Sequence, residues 1–385
     1  MQPRDRDPVV VLGGGIVGCA IALHLAGRGT PLVLVDAGRP ADAASTASFA
    51  SISAFGKDPV AYYELASAGM AGWSRFARRL DRDVGFRRGG QVRWTAGPGE
   101  GRQLAERVAR ANAWGYPIRL VSERQLRELL PAAEPGPVTA AAYAEHDAHV
   151  DPPAVLAACR QALEAAGARL VLGARAAVGV VDGGVRVRVG GETLAPSVTV
   201  LAAGAESVGV TAAFGLDVPL VSSPGMLVVT SPTAPLAPGV VYVPGGPGPP
   251  VHLRHRADGA LLVGERSQEA VTADLSQRHA RALVAQAARF FPTLGAARVE
   301  RVLLGWRSMP ADRLPIVGPV PGLPSLYLAV THSGVTLAPA LGRLAARELL
   351  DGVEEPLLMP FRPGRFAARA ARAMLDVEAV FQDLG

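Results

Sequence analysis

The fold of this chain is decided by residues 9–26, VVVLGGGIVGCAIALHLA, together with LVLVD at residues 32–36. Four consecutive apolar residues predict a buried strand, and a glycine-rich turn, a helix and a second strand follow it. Gly13 permits the tight turn, Gly15 lets backbone N–H groups approach a pyrophosphate, and Gly18 lets the helix pack closely on the strand. This order of elements predicts a βαβ unit that binds a dinucleotide.

Asp36 stands at the end of the second strand of this unit. A carboxylate at that place accepts a hydrogen bond from a ribose 2′-OH and repels a 2′-phosphate. The glycine pattern and the acid together do not choose between NAD and FAD. That choice depends on stretches further along the chain.

The apolar residues 9–26 are interpreted as part of a folded domain and not as a signal peptide or a membrane span. Gly13, Gly14 and Gly15 would weaken a spanning helix, no cleavage site of the A-x-A kind follows, and a strand pattern begins at once. Because no targeting segment is recognised, we expect a cytoplasmic protein without a transmembrane segment.

The composition of the chain excludes several classes of protein. Its 385 residues, 49% hydrophobic and 19% charged, are long enough for two compact units and too apolar for disorder. Lys57 is the single lysine among 39 basic residues, so a Schiff-base mechanism would need that residue. Cys19 and Cys159 are far apart and give no metal-ligand spacing, and the arginines are scattered among 34 acids. We therefore expect neither a metal site nor nucleic-acid binding.

Three later stretches favour a flavin dinucleotide. The hydroxyl-rich residues 44–51 follow the acid, where an extended dinucleotide continues toward its second nucleotide half, and the apolar strand at residues 198–201 ends in Ala-Ala-Gly. Near the C-terminus, GWR at residues 305–307 precedes a strand at residues 326–330 and then THSGVTLAP at residues 331–339, which opens a helix. The N-terminus of that helix offers free N–H groups and a positive dipole end to an anion or an electron-rich ring edge.

With these stretches in the expected order, the chain resembles the D-amino-acid oxidase and glycine oxidase family of FAD-dependent oxidoreductases over essentially its whole length. The resemblance implies an α/β fold with a Rossmann-like FAD-binding domain of the glutathione-reductase type and a second, mostly antiparallel α+β substrate domain. The FAD-binding domain would comprise residues 1–80, 141–215 and 305–385, and the substrate domain residues 81–140 and 216–304.

Short strand-like runs separated by Pro and Gly agree with such a substrate domain. These runs are Met226–Thr230, Val240–Val243, Val251–Arg254 and Leu261–Gly264. Residues 239–250, rich in Gly and Pro, are predicted to form a mobile or lid-like loop. The Ala-rich residues after Phe366 predict a surface helix that docks on its own domain.

The resemblance also assigns residues to the cofactor site. The FAD-binding positions would be Gly13, Gly15, Gly18, Asp36, Ser45, Thr46, Ser48, Phe49, Ala177, Gly204, Ser333, Gly334, Val335 and Thr336. The last four would offer backbone N–H groups to the C2 carbonyl of the flavin, and Ala177 would offer its backbone to the adenine. Relatives with a covalent flavin use a cysteine near the C-terminal strand, and this chain has none after Cys159, so non-covalent FAD is expected. Trp306 and Phe49 are more often packing residues than substrate walls, though either could shape an apolar pocket.

The chemistry that the resemblance implies is oxidation of the C–N bond of a D-amino acid, glycine or a proline-like imino acid to the imine. Hydride transfer to flavin N5 needs no protein base, only a neutral amine whose carbon lies about 3 to 3.5 Å from N5. Arg307 would bind the substrate carboxylate through a bidentate, charge-assisted pair. His332, as a hydrogen-bond partner or a cap, and His252, with Arg254 on the same strand face, are further candidates for the pocket. The family often has Pro after the arginine where this chain has Ser308, so we expect a local difference in the backbone.

The sequence leaves alternatives open. The substrate is either a small amino acid or a larger, carrier-bound amine of a biosynthetic pathway, and a flavin with a structural role is the alternative from another class. The electron acceptor is expected to be oxygen or a quinone. A homo-oligomer is compatible with the sequence.

Overall fold

The computed structural model describes residues 7–38, 44–212, 216–246, 248–265 and 273–366. The α-helices in these ranges are α1 (Ile16–Ala26), α2 (Val60–Arg79), α3 (Pro98–Ala113), α4 (Glu123–Leu129), α5 (Pro152–Ala165), α6 (Ser207–Ala212), α7 (Gln277–Ala288) and α8 (Gly334–Asp351). Short 3-10 helices occupy Gly204–Glu206, Pro292–Ala296, Pro356–Phe361 and Pro363–Phe366. The helix predicted after Phe366 and residue 247 of the predicted lid lie outside the described residues.

The strands are given in chain order. They are β1 (Val9–Leu12), β2 (Leu32–Asp36), β3 (Ser51–Ile52), β4 (Gln91–Thr95), β5 (Ile118–Val121), β6 (Ala140–Ala144), β7 (Ala148–His149), β8 (Arg169–Leu172), β9 (Ala177–Val181), β10 (Gly184–Val189), β11 (Glu192–Leu194), β12 (Val198–Leu201), β13 (Leu220–Val221), β14 (Pro224–Pro232), β15 (Val240–Tyr242), β16 (Val251–His255), β17 (Ala260–Glu265), β18 (Val299–Trp306), β19 (Met309–Pro310), β20 (Ile316–Val320) and β21 (Leu323–Val330).

A six-stranded sheet carries the N-terminal glycine turn. Its strand order is β20-β21-β12-β1-β2-β8, and neighbouring strands are parallel except for β20, which is antiparallel to β21. β1 lies in the centre, between β12 and β2, and α1 connects it to β2 and ends at Ala26. The predicted βαβ unit is therefore confirmed.

Alternate residues of β1 face two different layers, as the two-residue period of a strand requires. Val9 and Val11 belong to a core formed with α1, α5 and α8, whereas Val10 and Leu12 pack with the three-stranded sheet β11-β10-β9. Both faces of the parallel sheet are thus covered. This double burial explains why the strand is apolar without alternation.

The second large sheet has eight strands in the order β18-β14-β17-β16-β15-β4-β6-β5. Its pairs are antiparallel except for the parallel pair of β15 and β4. One face packs on α7 and α4, where Val228, Val263 and Leu283 are buried together. The opposite face carries His252, whose ring contacts Phe49 from the chain segment between β2 and β3. The strands predicted within residues 216–304 are confirmed as β14 to β17.

Strand pairing moves the predicted boundary at residue 141. That boundary would cut β6, whose residues pair with β4 and β5 in the eight-stranded sheet. At the other end, Gly305 and Trp306 still belong to β18 and pair with β14. The division into two domains stays a prediction, with β6 and the whole of β18 on the side of the eight-stranded sheet.

The predicted loop at residues 239–250 is wrong in its first part. Val240–Tyr242 form β15 inside the eight-stranded sheet, and the side chains of Val240, Val241 and Val243 are buried. The predicted strand-like run Val240–Val243 and this predicted loop overlap, and the local pattern alone does not choose between them. The pairing of β15 with β4 and β16 supplies the hydrogen bonds of the strand.

Helix α2 fixes the start of α8, which borders the site described below. A Cβ on Gly69 of α2 would lie 2.2 Å from the carbonyl oxygen of Thr336, so only glycine permits the approach of the two backbones. Trp73 donates its indole N–H to the carbonyl oxygen of Val335 at 2.8 Å. The first turn of α8 is therefore held by direct backbone contact.

Candidate active site

A cavity of about 1040 Å³ opens at the N-terminus of α1, at the carboxyl ends of β1, β2 and β12. Ligands of open parallel sheets bind at this edge. The predicted cofactor residues in its wall are Gly13, Gly15, Asp36, Ser45, Thr46, Ser48, Ala177, Gly204, Gly334 and Val335. The other four predicted residues, Gly18, Phe49, Ser333 and Thr336, are not in the wall. Trp306, Ser308, Thr331 and His332 also line the cavity.

The glycine turn is required by close backbone packing. Gly13 has a φ of +108°, and a Cβ there would lie 2.4 Å from the carbonyl oxygen of Ala202, just after β12. A Cβ on Gly18 would lie 1.9 Å from the carbonyl oxygen of Gly13. Gly13 thus brings the end of β12 against the turn, and Gly18 acts through packing and not through contact with the cavity.

Asp36 fixes the turn from the end of β2. Its Oδ2 accepts the Gly14 N–H at 2.6 Å, and its Oδ1 accepts the Gly38 N–H at 2.9 Å. Each carboxylate oxygen has a second acceptor site, so the side chain can also accept from a ribose hydroxyl. The Ala174 N–H donates to the Asp36 carbonyl at 3.2 Å, and the same stretch of chain brings Ala177 into the wall.

The N-terminus of α1 is suited to an anion. Its N-cap residue is Gly15, which provides no side-chain cap, so the first N–H groups need partners from elsewhere. Ser45 supplies one, because its Oγ accepts the Ile16 N–H at 3.1 Å. Free N–H groups, the positive end of the helix dipole and a hydroxyl therefore meet where a pyrophosphate would bind.

These donors and the size of the cavity fit FAD. The volume of about 1040 Å³ exceeds the range of about 300–1,000 Å³ that is usual for drug-sized ligands, as a long dinucleotide requires. Thr331 is buried in the wall, and its Oγ1 has no hydrogen-bond partner among the described residues. A ligand bound in the cavity would supply the hydrogen-bond partner that this hydroxyl lacks. FAD would place its adenosine half near Asp36 and its flavin near Thr331.

The residues that flank Arg307 face the cavity. Trp306 is 42% exposed and lies in the wall, which agrees with the second of its two predicted roles, a pocket wall, and not with packing. Ser308 donates its hydroxyl to the carbonyl oxygen of Thr331 at 3.4 Å. The family often has proline at this position, and proline has no hydroxyl donor. The hydrogen bond to Thr331 is therefore a feature of this chain that the family pattern would not supply.

The side chains of Ser333 and Thr336 anchor the start of α8. The Ser333 hydroxyl oxygen is contacted by two donors, Lys57 Nζ and Tyr62 Oη, the second at 2.9 Å. Thr336 Oγ1 accepts the Ser53 N–H at 3.3 Å. The residues between them, Gly334 and Val335, are those that line the cavity.

His332 lines the cavity next to α8 as a neutral imidazole. Burial, together with the positive charges of Lys57, Arg307 and Arg313, lowers the pKa of His332 to about 3. A neutral imidazole has one donor and one acceptor nitrogen. The three cations make this end of the cavity electropositive, which favours a carboxylate ligand.

The side chain of Arg307 reaches the eight-stranded sheet. Its Nη1 donates to Ser223 Oγ at 3.2 Å, and a Cβ on Gly225 of β14 would lie 2.8 Å from its Nη2. The absence of a side chain at Gly225 therefore makes room for the guanidinium. Burial lowers the pKa of Arg307, but an arginine keeps its charge. Arg307 is not itself in the cavity wall, but its chain neighbours Trp306 and Ser308 are, and its positive charge acts on His332.

His252 lies on the same sheet and not in the cavity wall. The centroid of its ring is 4.0 Å from that of Phe49 and 5.5 Å from that of Tyr242. Arg254 does not line the pocket. It is buried, and its guanidinium donates to the carbonyl oxygens of Phe49 and Val150. Arg254 thus fixes the position of the Phe49 segment against the sheet.

Two arrangements are not visible in the sequence pattern. The sequence suggests for Lys57 only a Schiff-base role, whereas the residue contacts Ser333 at the start of α8. Cys19 and Cys159, far apart in sequence, are both buried, and the neighbouring Cys19 thiol, together with burial, raises the pKa of the Cys159 thiol. In the sequence, Lys57 stands out only as the single lysine of the chain. Its contact with Ser333 could not be predicted, because the two residues are far apart in sequence.

Metal ligands and spanning helices are both missing from the described part of the chain. There, no group of three or more His, Cys, Asp or Glu side chains could hold a metal ion. No helix within the described ranges combines the length and the apolar character that crossing a bilayer requires.

The six-stranded sheet and its cavity define a dinucleotide-binding protein. The chain matches the model of the DAO family of FAD-dependent oxidoreductases over residues 8–348, and it belongs to that family. It is 28% identical to a subunit of the opine oxidase of Agrobacterium tumefaciens, over 94% of this chain and 98% of that protein. It is 26% identical to glycine oxidase of Geobacillus kaustophilus, over 92% and 96% of the two chains.

A solved structure agrees with this assignment of the fold. The crystal structure of L-proline dehydrogenase from P. horikoshii superposes with a TM-score of 0.84 at 20% sequence identity, over 95% of this chain and 99% of that chain. The predicted fold class and the resemblance to the family are therefore confirmed. The chain is an FAD-dependent oxidoreductase.

Proposed function

We propose that this oxidoreductase oxidises the C–N bond of an amino or imino acid to the imine, with FAD bound non-covalently. The observation that carries the proposal is the position of Arg307, which stands between the wall residues Trp306 and Ser308 in the chain and packs against Gly225 of the eight-stranded sheet. The names of two relatives, a subunit of opine oxidase and a glycine oxidase, support this class of substrate.

Arg307 binds and orients the substrate carboxylate. A guanidinium offers two parallel N–H groups to a carboxylate, which fixes direction as well as affinity. The bond to Ser223 and the contact with Gly225 restrict the arginine side chain before substrate arrives. A carboxylate bound in one orientation keeps the neighbouring C–H bond in one orientation too, which lowers the entropic part of the barrier.

The charges around His332 favour the reactive form of the amine. Only a neutral amine can give up a hydride from the neighbouring carbon, and Lys57, Arg307 and Arg313 are positive charges close enough to lower the pKa of His332. The same charges disfavour an ammonium ion bound beside it. No protein base is required for the C–H bond, because bound FAD would accept its hydrogen as a hydride.

Non-covalent binding of FAD is supported by the positions of the cysteines. Cys19 and Cys159 are both buried in helices α1 and α5, and neither belongs to the cavity wall. A cysteine linkage to the flavin would need a thiol at the cavity. Denaturation of the purified protein should therefore release all of its flavin into the supernatant, and flavin retained by the precipitate would contradict this part of the proposal.

An anaerobic titration of the FAD-loaded protein tests the reaction. The panel contains D- and L-amino acids, glycine, proline analogues and the decarboxylated amine of each side chain. We expect bleaching of the flavin absorbance by one group of amino or imino acids and much weaker bleaching by their decarboxylated counterparts. Equal reduction by both would contradict the role of the carboxylate, and reduction by no amine would favour a structural role for the flavin. Repeating the titration with oxygen and with a quinone identifies the electron acceptor.

A further inference from the structure

A row of side chains crosses the face of the eight-stranded sheet that contacts Phe49. The strand register sets Arg93 of β4 opposite Tyr242 of β15, and Tyr242 opposite His252 of β16. Directly opposed residues of neighbouring strands share a face. The contacts agree, since the Arg93 guanidinium carbon lies 4.5 Å from the centroid of the Tyr242 ring, whose centroid is 5.5 Å from that of His252.

The row continues toward Arg307. Gly264 of β17 is next in register, and a Cβ there would lie 2.7 Å from the Leu227 side chain of β14. Gly225 stands two residues before Leu227, on the same face, and makes room for the Arg307 guanidinium. Arg93 and Arg307 therefore lie at two ends of one surface of the sheet.

Arg93 is held by two aromatic rings. Its guanidinium carbon is 4.3 Å from the centroid of the Phe55 ring and 4.5 Å from that of Tyr242, and its Nη2 donates to Gln91 Oε1. Two ring contacts and one hydrogen bond restrict the orientation of the guanidinium. Arg93 is also partly exposed. Such a planar, oriented fork matches the geometry of a carboxylate.

A buried network orients Gln91 and, through it, Arg93. Gln91 Nε2 donates to the carboxylate of Asp147, which also accepts from the Tyr116 hydroxyl and is fully buried. Ser53 Oγ lies 3.3 Å from both Gln91 Nε2 and Tyr116 Oη. Because the carboxylate fixes the amide of Gln91, the amide oxygen is directed to Arg93. The guanidinium is therefore positioned by the fold before any ligand binds.

We propose that Arg93 binds a second, distal carboxylate of the substrate whose amino-acid end is bound by Arg307. This inference rests on the proposed function and specifies its substrate class. β4 and β14 are four strand spacings apart, about 19 Å at about 4.8 Å each, so one α-carboxylate does not reach both arginines. The substrate is an amino or imino acid that carries a second carboxylate several bonds from the reacting amine.

The residues between the two arginines suit the connecting part of such a molecule. Tyr242, His252 and Phe49 form one aromatic surface along the row. Aromatic walls with a few fixed polar groups are typical of small-molecule sites. Glycine and proline would leave this surface and Arg93 unused.

The test measures binding without turnover, so that it does not depend on the oxidation of an amine. The FAD-loaded protein is titrated with dicarboxylates from glutarate to azelate, each against the monocarboxylate of equal chain length, and the flavin absorbance is followed. For at least one length we expect the dicarboxylate to bind about tenfold more tightly or better, since one charge-assisted hydrogen bond accounts for that factor. Arg93→Gln should abolish this preference.

Arg107→Gln is the matched control. Arg107 also stacks on the Phe55 ring, with its guanidinium carbon 4.9 Å from the centroid, but it is exposed on α3. We expect this variant to keep the preference for the dicarboxylate within about twofold. Should Arg93→Gln not fold, Arg93→Lys decides instead, because it keeps the charge near Asp147 and loses the planar fork. A reduced preference in Arg93→Lys supports the inference, and an unchanged one overturns it.

Two results overturn the inference. One is a wild-type protein that binds dicarboxylates and monocarboxylates equally at every length. The other is a preference that survives Arg93→Gln. Failure of the proposed function is a separate result, because reduction of the flavin by no amine would contradict amine oxidation and leave the comparison of the acids valid.

Discussion

His332 sits in the cavity wall beside three cations, and its charge state decides what it can do. Its pKa, lowered from the usual 6.5 to about 3, keeps the ring neutral at every pH from about 5 upward. We predict that His332→Gln changes the level of kcat/KM but not the shape of its pH profile between pH 5.5 and 9. An acid limb near pH 6.5 that is present in the wild type and absent from the variant would contradict this.

Asp147 makes stability depend on pH in a direction unusual for a carboxyl group. Burial raises its pKa from 3.8 to about 6, against the opposing effects of Tyr116, Ser53, Arg93 and Gln91. The protonated form is therefore favoured by folding, and its contribution is complete below pH 3.8 and lost as the pH rises through 6. The loss is about 3 kcal/mol in order of magnitude.

Asp147→Asn removes this titration. We predict that the free energy of unfolding of the variant, relative to that of the wild type, rises by up to about 3 kcal/mol between pH 4 and pH 8. Urea unfolding at several pH values measures the difference. Since the neutral histidines with lowered pKa values, such as His149 and His332, titrate in both proteins, their effect cancels. A difference that stays constant with pH would show that Asp147 does not titrate in this range.

Single residues could be predicted from the sequence where their role depends on local structure. Gly13, Asp36 and Ser45 follow from the order of strand, turn, helix and acid, and all three lie in the cavity wall. Arg93 could not be predicted, because its place depends on the parallel pairing of β4 with β15. The position of Arg254 could not be predicted either. Alternation along a strand shows on which face a side chain lies, but not which carbonyl groups the side chain meets there.

At the scale of elements, the contact between α2 and α8 determines where the start of α8 lies. Gly69→Ala would place a methyl group 2.2 Å from the Thr336 carbonyl oxygen, so the two helices must separate. We predict a loss of about 1–3 kcal/mol of stability from overpacking, together with weaker binding of FAD, because Gly334 and Val335 line the cavity.

Gly99→Ala in α3 is the control for this substitution. A Cβ at Gly99 meets nothing within 4 Å, so the change should not destabilise the protein and should leave FAD binding unaltered. Thermal unfolding and titration with FAD measure both quantities. Equal effects of the two substitutions would mean that the helix contact does not position the site.

The elements with a strong period could be predicted directly, whereas the short β15 was covered by two overlapping predictions, a strand-like run and a loop. α1, β1, β2 and the long C-terminal helix α8 carry clear apolar patterns, and the structure has them at or near the predicted bounds. β15 has three residues between Pro and Gly flanks and is a strand only because β4 and β16 pair with it. The contact of α2 with α8 likewise depends on glycines that look unfavourable within a helix.

At the scale of the whole molecule, the cavity joins parts of the chain that are distant in sequence. The N-terminus of α1, the residues around Ala177 and the start of α8 all border it, so a ligand that binds there links them. We predict that FAD raises the thermal midpoint of the apoprotein, since a ligand at 100 times its Kd stabilises the native state by about 2.7 kcal/mol. FMN, which lacks the half that Asp36 would bind, should give a much smaller shift. Equal shifts with FAD and FMN would contradict the assigned orientation.

The two-sheet architecture could be predicted from the order of the motifs, whereas the row of side chains on the eight-stranded sheet could not. The family resemblance gives the fold class, but the row from Arg93 to Arg307 arises from strand order in the eight-stranded sheet. A contact of this kind depends on tertiary pairing that no local pattern encodes. The contact of Lys57 with Ser333 and the proximity of Cys19 and Cys159 depend on tertiary structure in the same way.

The reductive half-reaction tests the central claim most directly. Anaerobic stopped-flow mixing of an amino-acid substrate with the FAD-loaded wild type and with Arg307→Ala gives the Kd of the substrate and the limiting rate of flavin reduction for each protein. Because truncation of a buried charge pair costs about 2–5 kcal/mol, we predict that the ratio of limiting rate to Kd falls at least about thirtyfold in the variant. The same limiting rate of flavin reduction and the same substrate Kd in the wild type and in Arg307→Ala would contradict the account.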